Sequence, residues 1–276
     1  MSYITNIILC ILFVCVGFAP PSRAALNNPT KEAGIVAHKA LYDISLSSKK
    51  SNSNISNISG KMFYEFKSSC DAWISNNRFD MLYEYPQGHA VRMTSDLSMH
   101  ESFDGKEFNF TVQRKRDGDL FEEIRGSASP IAAKYSKPKG LIFELPQGTL
   151  FPMAHTLSVL KKIKGGEKFY NATIFDGSDA EGAVDINSLI ISEAAPLSVK
   201  SDDVEQALID SKAWNIRLAF FPLNDFEATS DYEMSIIFHE NGVISNMGVD
   251  YGDFSVTHKL IALKPLDDGC LNDINE

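Results

Sequence analysis

Side chains able to act as nucleophiles, bases or metal ligands occur in this chain, but their spacing does not assemble them. The six histidines are scattered. His38, His100, His239 and His258 fall within or beside segments of strand character, where a hydrogen-bonded core histidine is the ordinary occupant. His155 lies beside Pro152 on a segment of helical character, where it either lines a groove or packs the helix. No Gly-x-Ser-x-Gly elbow, His-Glu-x-x-His pair, phosphate loop or dinucleotide glycine pattern is present. The run Asp176-Gly177-Ser178-Asp179-Ala180-Glu181-Gly182 imitates a calcium loop. Ala180 takes a ligand slot and no glutamate follows at the twelfth position, so it reads as a tight acidic turn. The residues offer no catalytic set, no metal centre and no cofactor site.

The cysteines carry the remaining chemistry, and its outcome depends on the compartment. Residues Ile4 to Ala19 form an apolar run that Pro20-Pro21 breaks, and Ser22-Arg23-Ala24 places small residues at −3 and −1 of a cut before Ala25. This is the pattern of a secretory signal peptide over residues 1–24, although residues 1–6 hold no Lys or Arg. The run falls short of the roughly 20 residues that span a bilayer, which favours cleavage over a retained anchor. Cys10 and Cys15 leave with the signal, so Cys70 and Cys270 remain. An oxidising compartment favours a structural disulfide between them. Two unpaired buried thiols are the alternative. A metal site is disfavoured because no His or Cys stands at short ligand spacing.

Cleavage also removes Arg23 and leaves 25 basic against 36 acidic side chains, a net charge of −11. Such a surface repels phosphate backbones and anionic headgroups, so no nucleic-acid partner is expected. No later apolar stretch reaches membrane-spanning length, so the mature form is not expected to cross a membrane. The remaining length suits one domain over residues 25–276, with no linker to divide it.

Strand signals dominate that domain. Ala37–Leu46, Lys61–Phe66 and the run from Asp71 to Tyr85 alternate, with a Ser/Asn-rich loop over Lys49–Ser59. Asp104-Gly105 and Asp117-Gly118 are hairpin turns joining Met99–Phe103, Glu107–Gln113 and Leu120–Gly126. Thr149 to Lys164 reads as one amphipathic helix, with Thr149 as N-cap, Pro152 just inside, lysines near the end and Gly165-Gly166 as the stop. Lys168–Phe175 and Ala183–Ser192 flank a turn at Asp176-Gly177. Ala194–Lys212 is a loop with one helical turn near Val204–Ile209. Trp214–Phe221, Tyr232–His239, Ile244–Tyr251 and Phe254–Leu263 close the chain. The pattern predicts a mainly β, antiparallel meander. The aromatic residues Phe63, Tyr64, Phe66, Trp73, Phe79, Trp214, Phe220 and Phe221 either line an apolar cavity or form ordinary core. Pro152, His155, Trp73 and Trp214 are the candidate groove residues.

Several segments, in order, resemble the envelope integrity protein B (EipB) family of Gram-negative α-proteobacteria. They are Ala37-His38-Lys39-Ala40-Leu41-Tyr42-Asp43-Ile44, Gly60-Lys61-Met62-Phe63-Tyr64-Glu65-Phe66, Leu145-Pro146-Gln147-Gly148-Thr149-Leu150-Phe151-Pro152 and Phe175-Asp176-Gly177-Ser178-Asp179. Tyr232-Glu233-Met234-Ser235-Ile236, Glu240-Asn241-Gly242-Val243 and Asp250-Tyr251-Gly252-Asp253-Phe254 extend the match. The resemblance implies periplasmic residence, a β-spiral resembling an open half-barrel with a short helical insert, and a disulfide between Cys70 and Cys270. It implies support of envelope integrity and stress resistance without catalysis. The expected mode is engagement of an envelope protein or lipid-linked ligand on the concave face, as a binding or scaffolding surface. A lipid or lipoprotein carrier is the alternative, and an apolar cavity of several hundred Å³ would favour it.

Overall fold

Along the first strand, β1 (His38–Lys49), His38, Ala40, Tyr42 and Ile44 are buried while Lys39, Asp43 and Ser45 are exposed. A period of two places these sets on opposite faces of a pleated sheet, and the buried set defines the inside. The computed structural model describes residues 34–195, 199, 201–223 and 229–267. The expected signal peptide and Cys270 lie outside the described residues.

From β1 the chain runs out through a hairpin meander. It comprises β2 (Asn57–Ser68), β3 (Ala72–Glu84), β4 (Val91–Ser102), β5 (Phe108–Arg116), β6 (Asp119–Ser129), β7 (Ala132–Lys137) and β8 (Ile142–Glu144). Helix α1 (Pro152–Lys164) follows, then β9 (Phe169–Ile174) and β10 (Val184–Glu193). After one helical turn, α2 (Gln206–Ile209), come β11 (Ala213–Pro222), β12 (Tyr232–His239), β13 (Ile244–Asp250) and β14 (Phe254–Pro265). Among the described residues all fourteen strands belong to one sheet ordered β8-β7-β6-β5-β4-β3-β2-β1-β14-β13-β12-β11-β10-β9. Every ladder in it is antiparallel.

The expected antiparallel meander is therefore present, with its two end strands not paired to each other; among the described residues the β9 edge takes only a parallel bridge from Leu150 to Ile174. β7 and β8 were not anticipated, because their short runs carry little alternation. The helical turn falls at Gln206–Ile209, inside the expected segment. The Ser/Asn loop is shorter than expected, since β2 already begins at Asn57.

Side chains bring the two ends of the sheet together. The connection between β9 and β10 lies against the opposite end: Tyr135 of β7 donates to the Asp179 carbonyl at 2.9 Å, and Arg114 of β5 to the Ser178 carbonyl at 2.7 Å. Phe175 meets Phe110 and Tyr135 edge-on, with centroids 5.4 and 6.4 Å apart. Phe108 stacks on Phe151 at 4.9 Å. The Phe110 ring is wedged between Gly126 of β6 and Gly177, leaving no room for a Cβ at either position. Gly177 also has φ +64°, a left-handed conformation that glycine adopts without strain. This aromatic cluster draws the open sheet into a coil.

Helix α1 departs from expectation at its start. The N-cap is Phe151, with Pro152 at the first helical position, and α1 has no side-chain cap of its own. Thr149 instead donates through Oγ1 to the Pro146 carbonyl at 2.8 Å, closing the preceding turn. A residue three positions before the helix can satisfy such a turn but cannot reach the first free N–H groups. The stop is as expected. Gly166 at φ +77° receives the turn, with its N–H on the Ile163 carbonyl and that of Glu167 on Lys162. Val159, Leu160 and Ile163 bury the helix in the coil with Ile190 and Ile216. No helix among the described residues is long and apolar enough to cross a membrane.

Gly177→Ala tests the coil. Gly105→Ala has a similar φ but open surroundings, so it should cost about 1 kcal/mol in urea unfolding. Gly177→Ala should cost about 2 kcal/mol more, because the added methyl displaces Phe110. Equal losses would show that the Gly177–Phe110 contact does not hold the ends together.

Candidate functional site

The coil is not filled throughout. At the N-terminal end of α1 a cavity of about 380 Å³ opens among inward side chains from both halves of the sheet. Tyr64 and Phe66 of β2 and Phe79 of β3 form one wall; Phe220 of β11 and Phe238 of β12 face it. Between them stand Met62, Met99, Met153, Met234 and Met247, five of the chain's eight methionines. Methionine is flexible and polarisable, so a wall built from it adapts to apolar guests of varied shape. The volume lies in the range of roughly 300–1,000 Å³ typical of small-ligand pockets.

Polar groups gather along part of this wall. His38, Tyr64, Asn77, Thr156, Asp176 and Ser178 all border the space. The His38 Nδ1–H donates to the Val36 carbonyl at 2.8 Å, leaving Nε2 as an acceptor, and burial keeps the ring below its usual basicity. The Tyr64 hydroxyl has no hydrogen-bond partner among the described residues, and burial pushes its ionisation well above the ordinary phenol value. Asp176 accepts the Ser178 N–H at 2.9 Å through Oδ1. These groups could orient a guest by hydrogen bonds; among them stands no nucleophile with a paired base.

The floor of the cavity depends on one buried carboxylate. Glu101, at the end of β4 and only 2% exposed, accepts the Met153 N–H at 2.7 Å and the Ala154 N–H at 2.9 Å. It supplies from across the fold the cap that α1 lacks locally, and an anion there also complements the helix dipole. Burial, opposed only in part by those two donors, raises its carboxyl to about 7. Glu101 thereby holds Met153 and Thr156 against the cavity.

None of the four candidate groove residues lines this space. Trp73 is buried beneath Phe103, edge-on at 4.9 Å, and Trp214 packs half-buried against the main core. Pro152 starts α1, and His155 stacks on Tyr170 at 5.9 Å with Nε2 unpartnered. Their helical neighbours Met153 and Thr156 face the cavity instead. Of the aromatic set, Tyr64, Phe66, Phe79 and Phe220 border it, whereas Phe63 and Phe221 do not. The methionines, Asp176 and Glu101 were missed. Alternation places Met62 on the same face as Tyr64 and Phe66, but no local pattern marks which inward side chains leave space. Burial lowers His155 and His258 to about 4, so both are neutral core groups at neutral pH.

Fold and cavity together define an open, barrel-like protein with an apolar interior space. Comparison with known proteins agrees. The family model described as EipB-like matches residues 29–267. The cell envelope integrity protein EipB of Brucella abortus (strain 2308) is 31% identical over 270 residues, covering 94% of this chain and 92% of the relative. A crystal structure from Brucella abortus, described as a beta-barrel-like protein of domain of unknown function DUF1849, superposes with a TM-score of 0.79 at 30% identity. That match covers 84% of this chain and 99% of the other. The chain belongs to the EipB-like family.

Glu101 gives a pH signature. Its folded value of about 7 exceeds the ordinary 4.5, so its contribution to stability is complete below pH 4.5 and is lost as the pH rises through 7. Glu101→Gln cannot titrate. Relative to that variant, the wild-type chain should lose about 3 kcal/mol of unfolding free energy between pH 4.5 and pH 8. Denaturant titrations at the two pH values check this, and a difference that does not change with pH would refute it.

Proposed function

We propose that this chain is an exported, periplasmic protein that maintains cell-envelope integrity and resistance to envelope stress by binding rather than by catalysis. The methionine- and aromatic-lined cavity of about 380 Å³ carries the reading. It supports an apolar or lipid-linked ligand held inside the coil, and it favours the lipid or lipoprotein carrier over a scaffold acting through its outer surface alone. The name of the Brucella abortus relative, a cell envelope integrity protein, supports the cellular role. The apolar run and small-residue cut before Ala25 support export, with residues 25–276 as the mature single domain.

A disulfide between Cys70 and Cys270 belongs to the same proposal. Phe66 of β2 and Pro265 of β14 both pair with His38, so the two strands run out at one end of the sheet on either side of β1. Cys70 and Cys270 follow within a few residues of those positions, a separation that short extended segments can close. The bridge would enclose about 200 residues and stabilise by roughly 5 kcal/mol in the chain-entropy model.

Two measurements test these statements. Native mass spectrometry of the protein purified from envelope extracts should reveal a co-purifying acyl-bearing ligand. A stoichiometric protein partner in its place would favour the scaffold. For the clasp, Cys270→Ser or added reductant should lower the melting temperature and speed proteolysis, and no change in either assay would remove the disulfide.

A further inference from the structure

The charged groups of the cavity wall are lopsided. Among the described residues no Lys or Arg lines it, and Asp176 is its single acidic side chain. Asp176 is half-buried and forms no ion pair among the described residues; Oδ1 takes the Ser178 N–H, while Oδ2 has no partner there. Arg114 reaches this turn at the Ser178 carbonyl, but its guanidinium is also bonded to Glu122. The nearby acids Asp179 and Glu181 add negative charge to the same connection. A half-buried carboxylate that borders an apolar space without a protein cation is a ready partner for a cationic ligand head.

The other polar groups point the same way. The His38 Nε2 is an acceptor, since Nδ1 carries the proton donated to Val36. Such acceptors match a donor-rich head, and among the described residues the wall offers neutral hydroxyl and amide donors but no positive charge to an anion. The volume, at the lower end of the small-ligand range, suits one apolar chain. Resting on the reading of the cavity as a ligand site, we propose that it accepts a single-chain amphiphile with a protonated amine head, received by Asp176, and rejects chains that end in an anion. Burial and the Asp176 charge together raise the Tyr232 phenol, so the field of Asp176 reaches the lining on β12.

The test uses decylammonium and decanoate, two probes of equal chain length and opposite charge, titrated calorimetrically into the mature protein at 0.15 M salt. Decylammonium should bind about tenfold or more tightly than decanoate. Asp176→Asn keeps an acceptor for the Ser178 N–H and should bring the two affinities within about threefold of each other. Met247→Trp, which fills the cavity, should abolish binding of both, excluding adsorption to the acidic surface. Decanoate binding as tightly as decylammonium to the wild-type protein overturns the head-group assignment and leaves the cavity reading intact; this needs no variant to fold. A preference that survives Asp176→Asn overturns the role of Asp176. Binding of neither probe removes both the assignment and the cavity reading.

Discussion

The ladder between β1 and β14 is the interaction on which the rest depends. The described chain enters at the middle of its sheet with β1, travels out to the β8 edge, crosses through α1 to the β9 edge, and returns to pair with β1. Within the β1–β8 and β9–β14 meanders each strand pairs with its neighbour in sequence. Only the pairing of His38–Lys49 with Phe254–Pro265 merges them into one sheet. That contact closes a loop of more than two hundred residues, so its entropy of closure precedes any gain from hydrogen bonds. The inward faces of both strands contribute to one core, through Tyr42 and Ile44 on one side and Val256 and Leu260 on the other. The proposed Cys70–Cys270 bridge would fall beside this ladder, where restricting the unfolded chain removes most closure entropy.

Once the two halves are joined, twist makes the sheet curl, and the question is what stops it. A closed barrel would end the curl with a final ladder. Here the two halves are joined by contacts instead: Phe110 between two glycines, Tyr135 and Arg114 on the carbonyls of the β9–β10 connection, and Glu101 on the first turn of α1. Such contacts fix the ends without drawing strand against strand. The interior consequently stays wider than side chains alone can fill, and α1 occupies only part of it. The cavity is what this mode of closure leaves.

Most of the strand order was legible because each strand has one wet and one dry face, and that difference is written as alternation. The turns were legible too, since Asp117-Gly118 and Gly177 need backbone conformations that few residues adopt. The start of α1 was not, because its cap comes from Glu101, fifty residues earlier and on another element. Local signals could only offer Thr149. The same limit hid the site. Trp73 and Met62 look alike as inward apolar residues, yet one lies beneath Phe103 and the other borders open space. Which of them faces a void is decided by how α1 and the β9–β10 connection dock, a property of the coil rather than of any segment.

The cavity also bears on why the fold needs its reinforcements. The partly open cavity of about 380 Å³ leaves its lining without the close contacts a filled core would supply. The net stability of an ordinary domain is only about 5–15 kcal/mol, so such lost contacts matter. A chain selected only for stability would be expected to close such a space with larger side chains. Here methionines hold positions that leucine or phenylalanine would pack more rigidly, and Asp176 borders a wall that an apolar residue would complete. Glu101 likewise places a charge where burial opposes it. Each of these choices costs stability locally and makes sense where the interior must admit a guest. The long β1–β14 ladder then keeps the two walls of the cavity in register whether or not a guest is present.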